Sequence, residues 1–174
     1  MFFMCNMITL RCTRKLQKYL GVSFVENPDS PKAKLGDWYT NFIPTLSGDL
    51  IIFVSEKTLL MVAIPVWEAD KLLPMFGFRV VNLLKMIGVA QEVIDKEIKH
   101  YSEIQFAKTA SRSILGTMNE IAYHLQYKAE YAKKKEDFSL SNIELEMSNY
   151  LWKSLDYRYP SDIAKEILYL SYLH

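Results

Sequence analysis

Two short apolar runs, Leu50–Ser55 and residues 59–64, constrain what this chain can fold into more than any other feature. In each, both faces are hydrophobic: Ile51 and Phe53 alternate with Ile52 and Val54, and Leu60 and Val62 with Met61 and Ala63. Successive side chains of a strand point to opposite sides, so strands like these must be covered on both faces. Ser55-Glu56-Lys57-Thr58 supplies the turn between them, and Ser47-Gly48-Asp49 joins them to a third strand at 37–43. The expectation is an antiparallel meander with helices on both of its faces.

The rest of the chain supplies helices. Residues 7–12 alternate as a short strand; Thr13 is placed to cap a helix over 14–20, and Gly21 to close it. Residues 22–36, with Pro28, Asp29, Ser30 and Pro31, read as a loop. A helical pattern at 68–86 is expected to break at Pro74 and Gly77 into two pieces. Ala90, Ile94, Ile98 and Tyr101 form a helical stripe, and 103–108 a further strand. Ile114, Met118, Ile121, Leu125 and Ala129 define the clearest amphipathic helix, running into a solvated stretch at 133–135. Two more helices follow, one lined by Leu140, Ile143, Met147 and Tyr150, the other by Ile163, Ile167 and Leu170 behind Pro160.

The fold class is therefore α+β: a small antiparallel β-meander sheet covered by several helices, with a helical C-terminal tail. Residues 1–135 are expected to form the core domain, with 1–6 an N-terminal extension. Residues 136–174 are expected to pack on it as a helical extension.

With 174 residues, half of them apolar, such a chain buries roughly two-thirds of its unfolded surface and needs no disulfide or metal. Cys5 and Cys12 form neither a redox pair nor half a zinc site, and His100, His124 and His174 stand alone. No cofactor and no metal are expected. The opening residues have no basic leader pattern, and no apolar run reaches the roughly 18 residues of a membrane span. Reduced thiols and the lack of a span point to a cytoplasmic protein with no membrane partner.

The net charge of +1 hides an uneven distribution. Residues 1–36 carry six Lys/Arg against two Asp/Glu, and 103–135 six against three; residues 136–174 carry three against seven. If the two basic blocks meet in space they make a face that attracts anions; otherwise they are scattered, solvated charges.

No glycine-rich dinucleotide motif, P-loop, nucleophile elbow or kinase signature is present. The stretch 108–119 stands out instead. It joins a strand to the start of the best helix, where unpaired N–H groups suit an anion. Lys108 and Arg112 add charge, and Thr109, Ser111 and Ser113 add hydroxyls. A structural reading competes: a serine as N-cap, Gly116 for close approach, Asn119 on a neighbouring backbone group, Arg112 paired with Asp37 or Glu56. A second patch, 35–41, reads as a Gly36-Asp37 turn feeding a strand, with Trp38 and Tyr39 on opposite faces, one in the core and the other exposed. A third, 10–16, places Arg11 and Arg14 around a helix start, where basic residues oppose the dipole and so favour a tertiary or binding role.

The segments LRCTRKL, LGDWYTN, IFVSEKTLL and KTASRSILGTMNE, in that order, resemble a family of small bacterial proteins described as domain of unknown function DUF6933. The resemblance runs from about Met7 to His124 and leaves the tail after Lys133 outside. It implies a shared fold and a bacterial or mobile-element origin, and brings no activity or catalytic residue.

The leading expectation is a non-enzymatic binding protein for another protein or a nucleoprotein complex, such as a phage- or plasmid-borne inhibitor of a bacterial defence or toxin system. The alternatives are a phosphate- or nucleotide-handling enzyme with its anion on Lys108, Arg112 and Ser113, and a nucleic-acid-binding protein working through the basic segments. Arg11, Arg14, Asp37, Trp38, Glu56, Lys108, Thr109, Arg112, Ser113 and Asn119 are the candidate site residues.

Overall fold

The computed structural model describes residues 7–134 and 139–173. The expected extension at 1–6 and the solvated stretch at 133–135 lie outside what is described in side-chain detail. Five strands, β1 (Met7–Cys12), β2 (Trp38–Ile43), β3 (Leu50–Ser55), β4 (Met61–Pro65) and β5 (Glu103–Lys108), form one sheet in the order β4-β3-β2-β1-β5. The helices are α1 (Arg14–Leu20), α2 (Leu72–Met86), α3 (Gln91–Ile98), α4 (Arg112–Lys134), α5 (Leu140–Ser148) and α6 (Pro160–Tyr172).

The α+β class and the β2-β3-β4 antiparallel meander are as the sequence implies. The sheet as a whole is mixed, because β1 runs parallel to both β2 and β5. Parallel neighbours need a long crossover, and residues 13–37, with α1, provide the one from β1 to β2.

The two-faced apolar pattern of β3 and β4 is fully used. Ile51, Phe53, Val62 and Ile64 pack into one core with Leu16 of α1, Phe76, Val80 and Leu84 of α2, Val93 and Ile94 of α3, and Leu168 of α6. Ile52, Val54, Met61 and Ala63 face a second core made by Met118, Ile121 and Leu125 of α4 and Ile143 and Met147 of α5.

Local signals explain the ends of α1: the Thr13 side chain accepts from the Leu16 N–H, and Gly21 closes the helix in the left-handed region at φ 64°. Pro74 does not break α2. It lies in the first turn, where a helix has no N–H partner to lose, and the break falls earlier, between a 3₁₀ turn at Val66–Lys71 and Leu72. Gly77 likewise sits inside a continuous helix.

Two buried carboxylates tie these layers together. Glu97 of α3 accepts from the Lys34 and Leu35 N–H groups at 2.8 and 3.0 Å and from the Tyr172 hydroxyl of α6 at 2.6 Å. Glu144 of α5 accepts from the Ala63 N–H at 2.8 Å and from Arg79 Nε at 3.0 Å, which satisfies a donor on the outer edge of β4.

A basic cleft at the carboxyl ends of two parallel strands

β1 and β5 run side by side in register, so their last residues, Cys12 and Lys108, are neighbours. The helices that follow part company there. α1 carries Leu16 into one core and α4 carries Met118 and Ile121 into the other. Helices leaving adjacent parallel strands towards opposite faces leave a crevice beyond the strand ends, the place where open α/β sheets bind ligands.

A cleft of about 900 Å³ occupies this position. One wall is α1, with Arg14, Gln17 and Lys18; the floor is the end of β5 and its continuation, Ala107 to Ala110. The segment 22–28 closes the far side, held by the Val25 N–H on the Phe106 carbonyl at 2.8 Å and by Gln17 Nε2 on the Val22 carbonyl at 3.3 Å. Among the described residues no carboxylate pairs with Arg14, Lys18 or Lys108, and Glu26 is the one acidic residue of the lining. The two basic blocks of the sequence therefore do meet here, in part.

Beneath the cleft lies a fixed polar layer. Arg11 Nε donates to Asp37 Oδ2 at 2.8 Å, and its Nη1 to the Lys108 carbonyl at 3.1 Å, so Arg11 links β1, β2 and β5. Burial pushes the Asp37 carboxyl above the usual carboxylate range, against the pull of the Arg11 guanidinium and the nearby Thr9 hydroxyl. Glu56 Oε1 accepts from the Asp37 N–H at 3.1 Å, and the Glu56 N–H donates to the Asp37 carbonyl at 3.0 Å. Gly36 is required above it: φ is +80°, and a Cβ there would lie 2.8 Å from Glu56 Cγ.

The candidate residues thus separate. Arg11, Arg14, Lys108 and Thr109 come together on the cleft, and Asp37 and Glu56 lie behind it as supports for Arg11 and the Gly36 turn. Trp38 belongs to the core, fully buried, with Nε1 on the Tyr101 hydroxyl at 3.0 Å and its ring edge-on to Phe76. Tyr39 is buried as well, contrary to the expectation of one exposed aromatic, because α4 covers that face of the sheet; its hydroxyl accepts the Ser111 N–H at 3.1 Å.

Arg112, Ser113 and Asn119 are exposed on α4 and do not line the cleft. Ser111 caps α4 by accepting the Ile114 N–H at 3.2 Å, and the arginine paired with Asp37 is Arg11 rather than Arg112. Gly116 serves no close approach, since nothing lies within 4 Å of where its Cβ would be. Lys18 and the 22–28 wall escaped sequence reasoning; the available signal was the run Arg14, Lys15, Lys18 on one short helix.

Cys12 is buried in the hydrophobic core with Leu10, Leu16 and Trp38, its thiol pushed up to about 12 by desolvation, which makes it a poor nucleophile. Among the described residues no group of His, Cys, Asp and Glu could hold a metal ion, and no helix is long and apolar enough to cross a membrane.

Fold and cleft together define a mixed-sheet α+β protein with a crevice lined by basic side chains at the ends of its parallel strands. The chain belongs to the family described as domain of unknown function (DUF6933), whose model matches residues 9–163. The match therefore runs beyond His124, across α5 and into α6, and the tail is not foreign to the family as the motif resemblance implies. No curated protein and no solved structure matches the chain.

Proposed function

We propose that this chain is a binding protein that holds a phosphate-bearing ligand in the cleft beyond β1 and β5. The observation that carries the reading is the convergence of Arg14, Lys18 and Lys108, three cations without carboxylate partners among the described residues, on one cleft of ligand size. A cation with no carboxylate partner breaks no existing ion pair when it turns to an incoming anion, whereas Arg11 is already committed to Asp37. Binding is favoured over catalysis because Asp37 and Glu56, behind the cleft, are engaged in holding Arg11 and the Gly36 turn, which leaves Glu26 as the one carboxylate in the lining and no second one to pair with it there. Titration calorimetry with tripolyphosphate tests it. A dissociation constant below about 1 mM, a binding free energy of roughly −4 kcal/mol or better, that weakens steeply between about 20 mM and 300 mM salt is the expected result. No measurable heat at low salt, or affinity indifferent to salt, contradicts it.

A macromolecular partner is the second reading, and exposed aromatics on α4 favour it. Tyr123, Tyr127 and Tyr131 follow one another at helical spacing, 69%, 63% and 52% exposed, and the first two line a groove with Leu46. Exposed tyrosines of this kind are enriched where proteins meet partners. A photo-crosslinking residue at Tyr127 is expected to trap a discrete protein or nucleoprotein species in a bacterial host. Cross-linking no stronger than at exposed Glu92 removes this reading.

A further inference from the structure

We propose that the ligand of this cleft is a nucleoside phosphate, bound with its phosphates on α1 and Lys108 and its base against the 22–28 wall; this rests on the anion-binding reading above. The cleft is two-sided. Arg14, Lys18 and Lys108 provide the cationic side, while Val22, Phe24 and Pro28 line an apolar side. A bare inorganic anion would use the first and leave the second in water. The ligand that fills both is anionic at one end and flat and weakly polar at the other.

Three features narrow the class further. Phe24 is half-buried and packs against the larger core, so its ring is held in place rather than free to collapse into the cleft. A fixed aromatic face suits a nucleobase, because stacking rewards a preformed platform. Glu26, exposed and without a partner among the described residues, stands on the same wall. In a cleft otherwise set up for anions a carboxylate is unfavourable for phosphate, yet it accepts well from sugar hydroxyls or an exocyclic amine. Finally, the wall is tied to β5 and α1 by the Val25 and Gln17 hydrogen bonds, so the two sides keep their separation without a ligand. Preorganisation of that kind lowers the ordering cost of binding.

The chemistry is shared by a free nucleotide and by the phosphorylated end of a nucleic-acid strand. The experiment is calorimetric titration of the whole chain with ATP, with tripolyphosphate, and with a 5′-phosphorylated oligothymidylate, each repeated on Phe24→Ala and Glu26→Gln. ATP or the oligonucleotide is expected to bind at least tenfold more tightly than tripolyphosphate; the tighter of the two identifies the source. Phe24→Ala is expected to remove that advantage and leave tripolyphosphate affinity unchanged. Glu26→Gln, an exposed change that cannot unfold the chain, is expected to weaken ATP several-fold while strengthening tripolyphosphate. Tripolyphosphate binding as tightly as ATP and the oligonucleotide overturns the nucleoside assignment and leaves the anion site standing. Failure of all three ligands overturns both.

Discussion

Arg11 and Asp37 form a pair in which the carboxylate is 2% exposed and the guanidinium 18%, joined by a 2.8 Å hydrogen bond across two parallel strands. The same guanidinium reaches the Lys108 carbonyl, so one side chain fixes the relative positions of β1, β2 and the end of β5. The cleft floor depends on that fixation.

Removing Arg11 leaves a buried carboxylate without its partner. Arg11→Ala is expected to destabilise the fold by about 3 kcal/mol, the cost of an uncompensated buried charge moderated by protonation of Asp37. Urea unfolding at pH 7 measures it. The double change Arg11→Ala/Asp37→Asn is expected to recover a large part of the loss, as coupled neighbours do. Purely additive losses would show that the two residues act independently.

Glu144 makes stability depend on pH. Burial pushes its carboxyl up to about 7 from 4.5, despite Arg79 and the Ala63 N–H, which favour the charged form. The folded state thus holds a proton that the unfolded chain has released, so this contribution is complete below pH 4.5 and is lost as pH rises to 7. The loss is on the order of 3 kcal/mol for such a shift. Glu144→Gln has no proton to lose there. Its stability relative to the parent, from urea unfolding at pH 5 and pH 8, is expected to improve at the higher pH; an equal difference at both values would refute this.

Gly36 and Gly116 are expected to respond oppositely to alanine. At Gly36 the left-handed backbone and the approach of Glu56 make a Cβ costly, and about 2 kcal/mol or more is expected to be lost. At Gly116, helical and open, alanine is expected to add about 0.5–1 kcal/mol. Thermal unfolding of the two variants decides it, and a lower melting temperature for Gly116→Ala would reveal a constraint at that position beyond local backbone preference.

What could be read in the sequence was local. Ile51 to Val54 and Leu60 to Ala63 announced strands covered on both faces, and Thr13 and Gly21 marked both ends of α1, because alternation and capping are properties of neighbouring residues. The parallel pairing of β1 with β2 and β5 was not legible: Cys12 and Lys108 are 96 positions apart, and nothing in either segment's alternation records the other. Glu97 and Glu144 were missed because an acidic residue on a helix reads as solvated, and only tertiary packing brings the N–H groups of Lys34, Leu35 and Ala63 to them. The site was half legible for the same reason. Lys108, Thr109 and Arg14 were visible as basic or polar residues at strand and helix ends, whereas Lys18 and the Phe24 wall join them only when the 22–28 segment lies along β5.

Arg14, Lys18 and Lys108 are expected to act together on one anion. The most direct measurement compares tripolyphosphate binding by the parent chain and by Arg14→Ala/Lys18→Ala/Lys108→Ala, with melting temperatures taken alongside. All three side chains are exposed, so melting is expected to stay within a few degrees of the parent while affinity falls at least thirtyfold, about 2 kcal/mol. A folded triple variant that binds as tightly as the parent would show that these three cations do not hold the anion.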